Sequence, residues 1–99
     1  MAVYFIFTFN VADEEHFAPY RQGVGALIRR HQGQVLAADS NATVLEGVGR
    51  QANVVVRFPS QEDAMAFYND PDYQPLKQLR MSTTTDTTAI MVKEYSRSH

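Results

Sequence analysis

Val3-Tyr4-Phe5-Ile6-Phe7-Thr8-Phe9, within the longer run from Ala2 to Val11, decides the fold. Val3, Phe5, Phe7 and Phe9 alternate with Tyr4, Ile6, Thr8 and Asn10, the two-residue period of a β-strand. One face of that strand is wholly apolar. The other still carries Tyr4 and Ile6, so the sheet it joins has oily groups on both sides.

Working outward, Asp13 is placed as a helix N-cap, with Glu14 and Glu15 at the positive end of the helix dipole. The helix that follows has an apolar stripe at Phe17, Tyr20, Val24, Leu27 and Ile28 and stops at Gln32 and Gly33. Pro19 lies too deep for a first-turn proline, which predicts an irregular first turn. Gly23 and Gly25 each cost about 1 kcal/mol against alanine in a helix, pointing either to a weakly stable helix or, the preferred reading, to close approach of another backbone. Gln34 to Ala38 reads as a second strand and Asp39 to Asn41 as a turn, with Val44 to Glu46 resuming the strand before Gly47 and Gly49 punctuate a loop.

Asn53 to Phe58 is the third strand, with Val54, Val56 and Phe58 opposing Asn53, Val55 and Arg57. Pro59 ends it. Ser60 with Asp63 then forms a capping box for a second helix through Ala64, Met65, Phe67 and Tyr68. Asn69-Asp70-Pro71 breaks that helix, and Tyr73, Leu76 and Leu79 resume helical spacing to about Met81. Threonines at 83 to 85, 87 and 88 favour extended structure and lead into a last strand, Ala89 to Tyr95. The order β, α, β, β, α, β folds most simply as a four-stranded antiparallel sheet with both helices on one face, an α+β fold.

A chain of 99 residues has room for one domain, assigned to residues 1–95, with a flexible C-terminal tail at 96–99. A domain this short buries only about two thirds of the surface its unfolded chain exposes. There are no cysteines to add disulfides or to supply thiolate chemistry. Two helices cover one side of the sheet, while Tyr4 and Ile6, with Ile90 and Val92 or Ala89 and Met91, leave apolar groups on both. Covering the second side with a partner's sheet is worth about 25 cal/mol per Å² of apolar surface removed from water, so a homodimer through the sheet faces is expected. The net charge of -2, with basic residues scattered from Arg21 to Arg97, gives no expectation of a nucleic-acid partner. No apolar run approaches the roughly 20 residues of a membrane-spanning helix, and no basic segment opens the chain, so the expected location is the cytoplasm.

Several pieces together give the chain a resemblance to the bacterial family catalogued as domain of unknown function 1330. They are Asp13 with Tyr20, His31 before Gly33, Glu46-Gly47, Phe58-Pro59-Ser60 with Ala64, and Tyr68 through Pro71, Tyr73, Gln74 and Arg80. The family's usual His-Gly-Gly is His31-Gln32-Gly33 here, and the glycine that often follows the last strand is missing. The resemblance implies a ferredoxin-like protomer of the dimeric α+β barrel group, pairing sheet to sheet, with a cavity between sheet and helices. Similar barrels include cofactor-independent monooxygenases, lactone isomerases and haem-handling proteins, so the fold alone selects no activity.

Candidate site residues follow from chemistry. His31 closes the first helix, where its imidazole serves as a base near neutral pH or simply as a cap. Glu46 lies among Val44, Leu45 and Gly47. Partial burial would raise its pKa toward a catalytic range, and an exposed strand-end carboxylate is the equal alternative. Arg57, in an apolar strand, is placed on the uncovered sheet face to pair with Glu46 or hold a substrate carboxylate. Tyr68, Tyr73 and Arg80 flank the broken helix as a pocket wall for a planar ligand, or as core. No phosphate-binding glycine loop, zinc-protease motif or nucleophile elbow occurs, and three dispersed histidines define no metal site. The expected function is binding of a small aromatic or carboxylated metabolite, with any catalysis being cofactor-free proton transfer or oxygenation by His31 or Glu46. The alternative is a non-catalytic dimeric ligand-sensing or partner-binding module.

Overall fold

A computed structural model describes residues 1–96. The elements are β1 (Val3–Val11), α1 (Glu14–Arg30), β2 (Gln34–Asp39), β3 (Ala52–Phe58), α2 (Gln61–Tyr68), α3 (Gln74–Thr83) and β4 (Thr84–Lys93). The strands form one sheet in the order β2-β3-β1-β4, each neighbour antiparallel. This is the ferredoxin-like βαββαβ arrangement, with the second helical segment split in two.

The alternation in β1 sets the layers. Val3, Phe5, Phe7 and Phe9 are buried against the helices, with Phe17, Tyr20, Leu27 and Ile28 of α1, Ala64 and Phe67 of α2, and Tyr73. The core is largely aromatic, the Phe58, Phe67 and Tyr73 rings following one another at centroid distances of 5.5 and 4.5 Å. The opposite face is open. There Tyr4 lies between Val92 and Arg57, Ile6 between Ile90 and Val55, and Thr8 between Thr88 and Asn53. Half of the Ile90 surface is exposed.

The caps form as their residue types dictate. Asp13 accepts the backbone N–H of His16, and Ser60 Oγ accepts that of Asp63. At the far end of α1 the N–H of Gly33 reaches the Ile28 carbonyl at 2.8 Å and that of Gln32 the Arg29 carbonyl at 3.1 Å. This double closure requires a left-handed residue, and Gln32 supplies it with φ +67°. Gly33 is fixed by packing: a Cβ there would lie 2.6 Å from both Ile28 and Phe58 side chains.

Four expectations are corrected. The first turn of α1 is regular: the helix runs unbroken through Pro19, and the Glu15 carbonyl that loses its donor lies on an exposed stretch where water can serve it. Gly23 faces the Leu76 side chain at ordinary contact distance and Gly25 the tip of Arg29, so neither admits another backbone. Val44 to Glu46 does not resume β2. Asp39 Oδ1 accepts the N–H of Asn41 in a local turn, Leu45 and Val48 stand exposed, and Gly47 takes φ +80°. The last strand starts at Thr84 and not Ala89, because the chain passes straight from α3 into the sheet. Its threonines pair with Val11, Asn10 and Thr8 across a bulge where Asp86 has φ +55°. The tail expected at 96–99 lies, from residue 97 on, outside the described residues. Among the described residues no helix is long and apolar enough to cross a membrane.

Candidate functional site

A cavity of ≈ 400 Å³ lies between α1 and the β2-β3-β1 half of the sheet. Two local features make the room. Gly25 contributes no side chain to the helix face between Arg21 and Ile28, and β2 is short and carries Ala38 where a larger residue would fill the space. Phe7, Phe9, Phe17 and Phe67 give the wall an aromatic surface, and Tyr20, Arg21, Asp39 and Ser40 are its polar members. Arg21 is half exposed and already engaged by Glu14 at 2.5 Å. Tyr20 is different, because it is buried.

The Tyr20 hydroxyl meets that of Tyr73 at 3.1 Å, deep in the protein. Burial holds the Tyr20 phenol well above its ordinary pKa and the neighbouring Tyr73 adds to the rise, while the Arg80 guanidinium opposes it by charge and hydrogen bonding. Tyr20 is therefore a neutral hydrogen-bond donor at physiological pH. Arg80 is 2 % exposed, its guanidinium stacked over the Phe7 ring at 5.4 Å, and its Nε has no hydrogen-bond partner. Among the described residues no carboxylate pairs with it. A buried cation without an anion costs several kcal/mol, so one in this position calls for an explanation.

His31 caps α1 and gives a second polar cluster. Its Nε2 is 2.8 Å from Asp70 Oδ2, and Arg30 contacts both Asp70 and Asp72, at 3.1 and 2.8 Å. The Asp70 carboxyl is lowered to about 2, first by the His31 hydrogen bond, then by the Asp72 backbone N–H and by Arg30. The cluster ties the end of α1 to the turn between α2 and α3. The Asp70 carbonyl in turn accepts the N–H of Tyr73, so the same turn seats the tyrosine that holds Tyr20.

The residues singled out from the sequence thus fall in four places. His31 sits in the Asp70 cluster. Glu46 is exposed on the loop after β2. Arg57 lies on the open sheet face, flanked by Tyr4 and Gln34, with no ion pair to Glu46. Tyr73 and Arg80 stand behind the cavity at Tyr20. Tyr68 lines a smaller hollow of ≈ 220 Å³ beside Phe5, Met65 and Met91, with Lys77 over its ring at 4.4 Å. His31, Glu46 and Arg57 line neither space. In the sequence Tyr20 stands in the α1 apolar stripe and in the family resemblance, not among the candidate site residues, yet a tyrosine at a core position needs a partner for its hydroxyl, and that requirement is the signal that marks it.

Comparison with solved structures shows the same fold. A protein of unknown function from Rhodopseudomonas palustris superposes with a TM-score of 0.81 at 17% identity, covering 96% of this chain and 83% of that one. A dimeric protein of unknown function with a ferredoxin-like fold from Bacteroides fragilis gives 0.65 at 11% identity, covering 94% and 96%. SnoaB, a cofactor-independent oxygenase from Streptomyces nogalater, gives 0.66 at 13% identity, covering 98% and 96%. No curated protein matches the chain. The model of one family matches residues 2–95, and the chain accordingly belongs to the family described as Domain of unknown function (DUF1330).

Proposed function

We propose that the protein works as a homodimer, paired through the open sheet faces, that binds a small aromatic or carboxylated metabolite in the cavity of each protomer. The observation that carries this reading is the aromatic cavity beneath α1, with the buried Tyr20 among its lining residues. A space of ≈ 400 Å³ falls within the range of small-molecule sites, and a mostly apolar lining with a few placed polar groups is their usual composition. The dimer is supported by Ile6, Val55, Ile90 and Val92 on the open face, whose burial would add to a thin core. Arg57, set among them, then has a partner protomer to face. The Bacteroides fragilis protein of like fold is dimeric.

The chemistry open to such a site without a cofactor is proton transfer within, or oxygenation by dioxygen of, the bound molecule, with Tyr20 as a hydrogen-bond donor in the wall. SnoaB carries out cofactor-independent oxygenation on a similar fold. A second reading, a non-catalytic ligand-sensing dimer, is favoured by one observation. His31 is engaged by Asp70 and Glu46 stands on an exposed loop, which leaves the cavity without a carboxylate or imidazole base except Asp39 at its rim.

The test is a thermal-shift screen against aromatic and carboxylated metabolites, repeated on Gly25→Leu. The substitution puts a side chain into the cavity while improving helix propensity by about 1 kcal/mol, so the variant folds. A ligand at 100 times its dissociation constant adds about 2.7 kcal/mol to the wild type, and the reading requires that shift to vanish in the variant. Equal shifts in both proteins would contradict it. Consumption of the stabilising compound by the wild type separates the enzyme from the sensor.

A further inference from the structure

The cluster behind the cavity wall has too many donors. A guanidinium offers five N–H groups and each phenol one O–H. Against these, Arg80, Tyr20 and Tyr73 have only the two hydroxyl oxygens, and no described carboxylate or carbonyl accepts a hydrogen bond from Arg80. Whichever tyrosine donates in the 3.1 Å contact, the other keeps a proton to give. The charge is equally unbalanced, with one buried cation, no anion, and a quadrupole contact to Phe7 as partial compensation. Phe7 and Tyr20 both belong to the cavity wall.

We propose that Tyr20, Tyr73 and Arg80 form an anion-recognition subsite of the cavity, and that its ligand class is an aromatic monocarboxylate. This rests on the reading of the cavity as a ligand site. The ring packs among Phe9, Phe17 and Val54. The carboxylate meets Tyr20, accepts a hydrogen bond from the hydroxyl that the tyrosine pair has to spare, and neutralises the Arg80 charge behind it. Tyr20 is the contact residue; Tyr73 and Arg80 position and polarise it. One negative charge matches one cation, whereas a phosphate dianion would leave a net charge in an apolar space. Arg21, the other cation at the wall, is exposed and already neutralised by Glu14, so it does not supply the selectivity. Arg57 lies on the opposite face of the sheet.

The experiment compares 2-naphthoate with its neutral counterpart 2-naphthamide, read by naphthalene fluorescence, which the absence of tryptophan leaves unobscured. One charge-assisted hydrogen bond gives the carboxylate an advantage of about tenfold or more in the wild type. In Arg80→Met the two probes bind within about twofold of each other because naphthoate alone weakens, and Arg80→Lys restores part of the difference. Melting temperature provides the contrast with a merely structural role. Replacing a buried unpaired cation by an apolar side chain leaves stability unchanged or higher, whereas loss of a structural arginine lowers it. Should Arg80→Met fail to fold, Tyr20→Phe removes the hydroxyl alone and must reduce the preference in the same way. Equal wild-type affinity for the two probes, or a preference that survives in the variants, overturns the subsite while leaving the cavity as a ligand site. If neither probe binds the wild type, the cavity reading falls first and the subsite with it.

Discussion

His31 Nε2 and Asp70 Oδ2 stand 2.8 Å apart, joining the end of α1 to a turn 39 residues further along the chain. From that turn the chain passes directly to Tyr73, whose N–H binds the Asp70 carbonyl and whose hydroxyl holds Tyr20 at the cavity wall. The polar pair thereby ties the end of α1 to the turn that seats Tyr73.

Acid should weaken the pair. The Asp70 carboxyl lies at about 2 in the folded protein against 3.8 for the free group, so its stabilisation is present above pH 4 and is lost as pH falls toward 2. Thermal melts of the wild type and Asp70→Asn across pH 2 to 6 are expected to differ most at the upper end and to converge at the lower. Asp13, also held below its ordinary value by the His16 N–H that it caps, leaves a residual acid slope in the variant. A difference that is constant with pH would contradict the assignment.

Neighbouring positions after α1 should respond with opposite signs. Gln32→Gly relieves a left-handed residue and is expected to add about 1 kcal/mol in urea unfolding. Gly33→Ala drives a methyl to within 2.6 Å of Ile28 and Phe58 and is expected to cost about 1 to 3 kcal/mol.

How much of this was legible in the sequence depends on the range of the interaction. The β1 alternation, the Asp13 and Ser60 caps and the break before Tyr73 are written in adjacent residues, and they place the layers. Val44 to Glu46 misled because apolar type signals a strand only where something covers it, and here solvent does. The helix-to-strand passage at Thr83 and Thr84 depends on pairing with Val11 far away in sequence. The site was least legible. The partners of His31 and Tyr20 are 39 and 53 residues distant, and the isolated charge of Arg80 is visible only once its surroundings are known to lack a carboxylate.

The open sheet face makes its own prediction. The wild type should sediment at micromolar concentration with twice the 11.2 kDa mass of the chain, and Ile6→Lys, which places a second cation beside Arg57, should sediment as the monomer. A folded wild-type monomer would remove the proposed assembly.

Ligand affinity should separate the cavity wall from the polar residues elsewhere. Glu46→Gln is expected to change it by no more than about twofold, the scale of surface substitutions, whereas Gly25→Leu abolishes binding in equilibrium titrations.

The most direct measurement is a methyl carbon–proton NMR titration with 2-naphthoate. Filling of the space beneath α1 shifts the methyl signals of Val24, Ile28, Val35, Val54 and Val56, which line it, and leaves those of Ile6, Ile90 and Val92 on the open face in place. Shifts centred on the open face, or none at saturating probe, would contradict the account.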